Sequence, residues 1–287
     1  MEYNSEKNIK FKELEKGYIL VNYNTFKQIH PIVFEEVGDF YNGFARVYKR
    51  GKGWNFINKQ GELLWKEDKK VDWVEDSFSE GVVRVEIEGQ GYNFINKQGE
   101  LLWSEYKNFY FVGNFFDGFA KVELDDKYNF INKQGELLWK EDEWFNYVSD
   151  FSEGFAGVKI GKKWNFINTN SELLWKGEEL FNDVHDFKNG FAKVYKKDKG
   201  WNWIDTNGEL VWKEDIWFDN VEDYFHEGFA AVKIEDLGWN FVNIQGELVW
   251  KGDEWLDGAW NFDNGIANVG YKGEWYKLNT NGELIEY

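Results

Sequence analysis

Trp54-Asn55-Phe56-Ile57-Asn58-Lys59-Gln60-Gly61-Glu62-Leu63-Leu64-Trp65 returns nearly letter for letter at 92–103, 128–139, 164–175, 201–212 and 239–250, with a shortened copy at 275–285. The stretch reads as a β-hairpin. Trp54, Phe56 and Asn58 alternate with Asn55 and Ile57, the period of two that a strand needs. Asn58 to Gly61 then forms a turn in which Gly61 supplies the left-handed residue of a type I turn with a G1 bulge. Glu62 to Trp65 is the returning strand.

Working outward, the turn glycines at 61, 99, 135, 208, 246 and 282, with Ser171 standing for glycine in one copy, are spaced by 38, 36, 36, 37, 38 and 36 residues. A constant period of this size marks one supersecondary module repeated along the chain. Ser171 carries a Cβ into a left-handed position, so the turn is expected to shift and Asn170 to take that conformation. Before each hairpin runs a strand of the type Gly43-Phe44-Ala45-Arg46-Val47-Tyr48, with Ala and Val on one face. After it comes a charged loop and then a short irregular strand, as at Trp144 to Phe151. The unit therefore has four strands: a (Trp144 to Phe151), b (Phe155 to Ile160), c (Trp164 to Asn168) and d (Glu172 to Trp175). Gly17 to Thr25 aligns with the hairpin 36 residues on, adding a copy at the N-terminus with strand b at Ile9 to Glu15 and strand d at Phe26 to Pro31.

The expected fold is thus an all-β repeat protein in which eight units of about 37 residues, each of three to four antiparallel strands, form a single domain over 1–287. The units run approximately 8–31, 32–66, 67–103, 104–139, 140–176, 177–213, 214–251 and 252–287. An eight-bladed β-propeller is the leading arrangement, because an open β-solenoid, the alternative, leaves strand edges that this chain, with a single proline and no long charged strand, does little to protect. The solenoid draws support from degenerate end units: the first has Tyr18 and no d-strand tryptophan.

Composition agrees with the β reading. Aromatic residues make up 20% of the 287, and proline and methionine occur once each. No cysteine is present, which removes disulfides and thiolate metal sites. No signal-like apolar segment opens the sequence and no apolar run reaches membrane-spanning length, so a cytoplasmic protein with no membrane partner is expected. The net charge of −18 repels phosphate backbones and argues against nucleic acid. It reads as a solubility coat, or as an acidic face for a basic partner.

A strand ending Gly-Phe-Ala-x-Val, a short turn, and then Trp-x-Phe/Trp-Ile-Asn/Asp-x-x-Gly, as at Gly190 to Gly208, resembles the bacterial WG (KWG) repeats over residues 43 to 282. The family's glycine after tryptophan is asparagine here, at Asn55, Asn93, Asn129, Asn165, Asn202 and Asn240, a residue tolerant of unusual backbone angles. The Gly-Glu-Leu-Leu-Trp-Lys ending is similar in shape to the tryptophan-docking motif of PQQ-type propellers. The resemblance implies a β-repeat fold and no defined chemistry.

Repetition works against enzymes, which need singular convergent groups. His30, His185 and His226 fall at different phases of the repeat, and no phosphate loop, zinc-protease or nucleophile-elbow motif occurs. No catalytic residue, metal site or cofactor is expected. Candidate binding residues are instead aromatic. Trp144, Trp217 and Trp255 open strand a at one repeat phase and form a possible ring of stacking residues. Tyr106 and Tyr110 stand where sibling units carry Asp142 and Asn146. The leading expectation is a non-enzymatic, monomeric interaction module binding a protein through one loop face. The alternative is a lectin-like multivalent binder holding glycans in repeated Trp/Asn pockets.

Overall fold

The computed structural model describes residues 8–65, 71–104, 109–215 and 217–285, and everything below refers to them. Among these residues there is no α-helix. The alternating pattern folds into the expected hairpins, each a b strand antiparallel to a c strand. They run Ile9–Leu14 with Gly17–Asn22, Phe44–Lys49 with Gly53–Asn58, Val82–Ile87 with Gly91–Asn96, and Phe119–Leu124 with Lys127–Asn132. Four more follow, at Phe155–Ile160 with Lys163–Asn168, Phe191–Lys196 with Gly200–Asp205, Phe229–Ile234 with Gly238–Asn243, and Ile266–Tyr271 with Glu274–Asn279. The a segment adds an outer strand to seven of them and is shorter than the sequence suggests: Tyr147–Val148 where Trp144 to Phe151 was expected. The result is a series of antiparallel, blade-like sheets, the all-β repeat that the sequence predicts.

The chain divides into two compact halves, Met1–Lys140 and Glu141–Tyr287, cut at a repeat junction. In the first, the two hairpins from 44 to 96 join into a six-stranded sheet through one parallel contact between Gly53 and Val71. In the second, three three-stranded sheets are followed by a four-stranded one.

Burial explains the alternation. In the second half, Phe166 on one face of its c strand packs with Phe187, Ala192, Val194 and Ile204 of the following unit. Trp203 and Val211 in turn meet Phe225, Ala230, Val232 and Val242 of the next. The same pattern in the first half puts Phe56 and Trp65 against Phe78, Val83, Val85 and Ile95. Ala and Val are small because each b strand receives the large aromatic of its predecessor.

Successive units are also tied through the backbone. Trp164 and Phe181 exchange N–H···O bonds of 2.8 and 3.0 Å, and Trp239 and Leu256 exchange bonds of 2.8 and 2.9 Å. The chain thus leaves a unit along the free edge of its c strand before crossing to the next sheet.

Two turns carry the geometry. In the c–d turn the Asn58 side-chain oxygen accepts from the Gln60 and Glu62 N–H groups at 3.0 and 2.8 Å, and Gly61 lies at φ 83°. This is the expected turn. Ser171 corrects one detail: it occupies the left-handed position itself, at φ 68°, with its N–H still 3.0 Å from the Asn168 carbonyl. The intact Asn168 side-chain bonds to Asn170 and Glu172 hold the turn against a cost of about 1 kcal/mol.

The a–b turn is a two-residue loop with both residues left-handed, for example Glu153 at φ 53° and Gly154 at φ 82°. Its first residue runs Asn42, Glu80, Asp117, Glu153, Asn189, Glu227, Asn264. The glutamates reach forward one unit. Glu153 accepts from the Asn189 and Gly190 N–H groups, each at 2.8 Å, and Glu227 does the same for Asn264 and Gly265. Glu80 accepts from Gly118 at 3.1 Å. Consecutive amides turned one way make a site for an anionic oxygen, and a neighbouring carboxylate fills it.

Candidate functional site

The asparagine that replaces the glycine of WG is not there for unusual backbone angles. None of the six has a left-handed φ. Asn202 is fully buried; its Oδ1 accepts from Trp203 and Trp212 N–H at 2.7 and 3.1 Å, and its Nδ2 donates to the Trp212 carbonyl at 2.8 Å. Asn240 treats Trp250 in the same way, at 3.0 Å in both directions. The side chain stands in for the missing rungs of a ladder, so strand d shrinks to a single bridge such as Ile204 to Leu210. Where Ile19 and Tyr276 take the asparagine's place, in the first and last units, d pairs as a short strand at Lys27–Gln28 and Leu284–Ile285. With both side-chain ends committed, these asparagines present nothing to a glycan.

The d-strand tryptophans divide. Trp65 and Trp103 are buried, whereas Trp139, Trp175, Trp212 and Trp250 are half-buried. Trp175 lies across Gly177, where an added Cβ would come within 2.2 Å of the ring, and its indole N–H donates to the Glu179 carbonyl at 3.0 Å.

Of the candidate aromatic ring, Trp217 is 3% exposed and lies in the core with Phe181, Phe187 and Ile204. The expectation of an open stacking platform there is corrected: the residue fills the junction between units. Trp255 is half-buried against the cluster around Trp203 and Phe218. Trp144 is half-buried as well. Tyr106 lies outside the described residues. Tyr110 is 67% exposed, with its backbone N–H bonded to the Glu123 carbonyl at 2.9 Å. It precedes Phe111–Phe116, a six-residue a strand with a bulge between Val112 and Phe115, where most siblings have two residues.

Cations set over aromatic rings are the recurring motif that sequence reading missed. Arg46 lies 4.9 Å from the Trp54 ring centre, Lys159 5.6 Å from Trp164, Lys193 4.3 Å from Trp201 and Lys233 6.0 Å from Trp239. The signal was in the sequence, since Arg46 and Lys193 recur at one position of strand b and Lys159 and Lys233 at another, both beside the c-strand tryptophan. Lys193 also donates to Asp223 at 2.9 Å, and this bond holds the Asp223 carboxyl below its ordinary range. Lys196 sits among Trp175, Phe181 and Trp217, at 5.0, 5.6 and 5.8 Å, and burial lowers its ammonium pKa.

The histidines do not converge. His30 Nδ1 is 2.8 Å from the Gly61 carbonyl and its ring stacks on Phe34, His185 faces Trp201 edge-on, and His226 belongs to an a–b turn.

A search of curated proteins returns no match. Among solved structures, the chain aligns with BamB from Moraxella catarrhalis at 11% identity, over 98% of this chain and 96% of that one, with a TM-score of 0.33. It aligns with Hsv2p of Kluyveromyces lactis at 10% identity over 84% and 91%, TM-score 0.36. The computationally designed Ika8 protein aligns at 13% identity over 95% and 93%, TM-score 0.34. The model of the WG containing repeat matches residues 15–52, 94–128 and 145–164, stretches that cut across the hairpins described above, so in these stretches the chain is similar to that repeat.

Proposed function

We propose that this protein is a non-enzymatic interaction module that binds a protein partner through the face carrying Tyr110. The observation that supports this most is an aromatic side chain left 67% exposed beside the one a strand that departs most from the repeat. A residue needed only for folding follows the repeat, and Asn146 at the same phase shows that the fold accepts a small polar group there. Tyrosine combines a large apolar area with a polar tip at low entropic cost, which suits an interface anchor. The separated histidines and the commitment of the repeated asparagines to the backbone favour binding over catalysis.

The test replaces Tyr106 and Tyr110 together with the sibling residues, Tyr106→Asp and Tyr110→Asn. The variant is expected to melt like the parent and to lose about 30-fold in affinity for a partner recovered by pull-down, the effect of a 2 kcal/mol anchor. Full retention of that partner by a folded double variant would place the contact surface elsewhere.

A further inference from the structure

Among the described residues, the last unit breaks the pattern in which a tryptophan at the second position of strand c carries a cation from its own b strand. Trp54, Trp164, Trp201 and Trp239 are each covered by an arginine or lysine from their own b strand. At Trp275 the two positions that supply it are Asn268, matching Arg46 and Lys193, and Gly270, matching Lys159 and Lys233. Trp275 is 56% exposed, and a second departure stands beside it. Trp260, 51% exposed, occupies the position held by Gly38, Glu75, Ser149 or His185 in siblings. Its ring centre is 4.6 Å from that of Trp275, and the planes meet at 58°.

The two indoles form the walls of a corner floored by Gly258 and Gly270, which pair across the strands. A Cβ on Gly258 would touch the Trp260 ring at 3.2 Å, and one on Gly270 would touch Asp257 Cβ at 3.4 Å. Asp257 therefore stands on the Trp275 side of the sheet, with one carboxylate oxygen accepting from the Gly273 N–H at 2.8 Å. Glu274 precedes Trp275 on its own strand, and Lys277, two residues on, shares its face.

We infer that the Trp260–Trp275 corner, closed on one side by Asp257, binds the cationic side chain of an arginine or lysine in a basic segment of a partner protein. Two indole faces and a carboxylate suit a cation. The four sibling tryptophans show what this fold places over that ring, and a net charge of −18 draws basic partners to the surface. The inference rests on the interaction reading for the claim that the partner is a protein. It adds a second contact and the partner's chemistry.

The experiment titrates the intact chain with the blocked tripeptide acetyl-Gly-Arg-Gly-amide and with its neutral citrulline counterpart, following the indole N–H resonances of Trp260 and Trp275 in about 0.15 M salt, where long-range attraction is screened. The arginine peptide is expected to shift both resonances saturably, and citrulline to bind about tenfold more weakly. Gly270→Lys restores the sibling pattern of Lys233 and is expected to abolish binding by supplying the cation internally. Asp257→Asn keeps the acceptor for Gly273, as Asn146 does for Gly161 in its own unit, and is expected to weaken binding severalfold. Equal binding of both peptides, unchanged affinity in the Asp257→Asn variant, or shifts spread over the surface without these two indoles would overturn the inference. Tighter binding of a neutral methyl glucoside would also overturn it, and would make the corner a sugar platform. The titration does not involve Tyr106 or Tyr110, so its failure leaves the pull-down result standing.

Discussion

Asn202→Ala is expected to destabilise the protein by about 3–5 kcal/mol, although the residue touches no ligand and the change removes little volume. The alanine leaves the Trp212 N–H and carbonyl and the Trp203 N–H without the side chain that now bonds them. Each buried backbone group left unpaired costs about 1–3 kcal/mol. Asn202→Asp separates the contributions, because a carboxylate keeps both accepted bonds and loses the donor to the Trp212 carbonyl. With no cation beside it among the described residues and its second oxygen against the Trp212 carbonyl, the buried carboxylate should cost at least as much as alanine in a urea titration at neutral pH. Should both variants unfold within about 0.5 kcal/mol of the parent, the amide is dispensable and the ladder account fails, since surface changes have that size.

Trp203 offers the second large effect. It is fully buried at the junction of two units, 4.8 Å ring to ring from Phe225, where its siblings carry phenylalanine. Trp203→Ala should cost about 3–5 kcal/mol through the cavity it opens. Trp203→Phe should cost under about 1.5 kcal/mol: it follows the repeat, and the indole N–H it deletes has no acceptor among the described residues. Similar melting curves for the two would show that the units are not close-packed at this seam.

Much of this architecture was legible from residue order. Period-two alternation located the hairpins, and spacing of the turn residue located the repeat, because both follow from local geometry. What stayed hidden depends on partners distant in sequence. Asn55 and its copies looked like backbone-tolerant replacements for glycine, yet their role is set by a tryptophan ten residues on that they hold by its main chain. Trp217 looked like a possible platform because the residue at its phase varies between units, and only packing reveals that it fills a seam beside Lys196. Tyr110 could be singled out because a departure from a repeat is visible without coordinates; its exposure was not.

The forward reach of Glu80, Glu153 and Glu227 has a consequence for how the array can be edited. Each tether joins two neighbouring units, and the glutamates recur at intervals of 73 and 74 residues, so a pair of units carries one such tether whole. Excising the unit of Asn189 alone would bring Glu153 to face the Glu227 turn; excising it together with the unit of Glu153 would take that tether out whole. Paired deletions should therefore refold more readily than single ones, and equal refolding yields would count against the pair as the unit. Growth of the array in steps of two would preserve every carboxylate-to-turn tether, whereas growth by one would strand a glutamate at the splice.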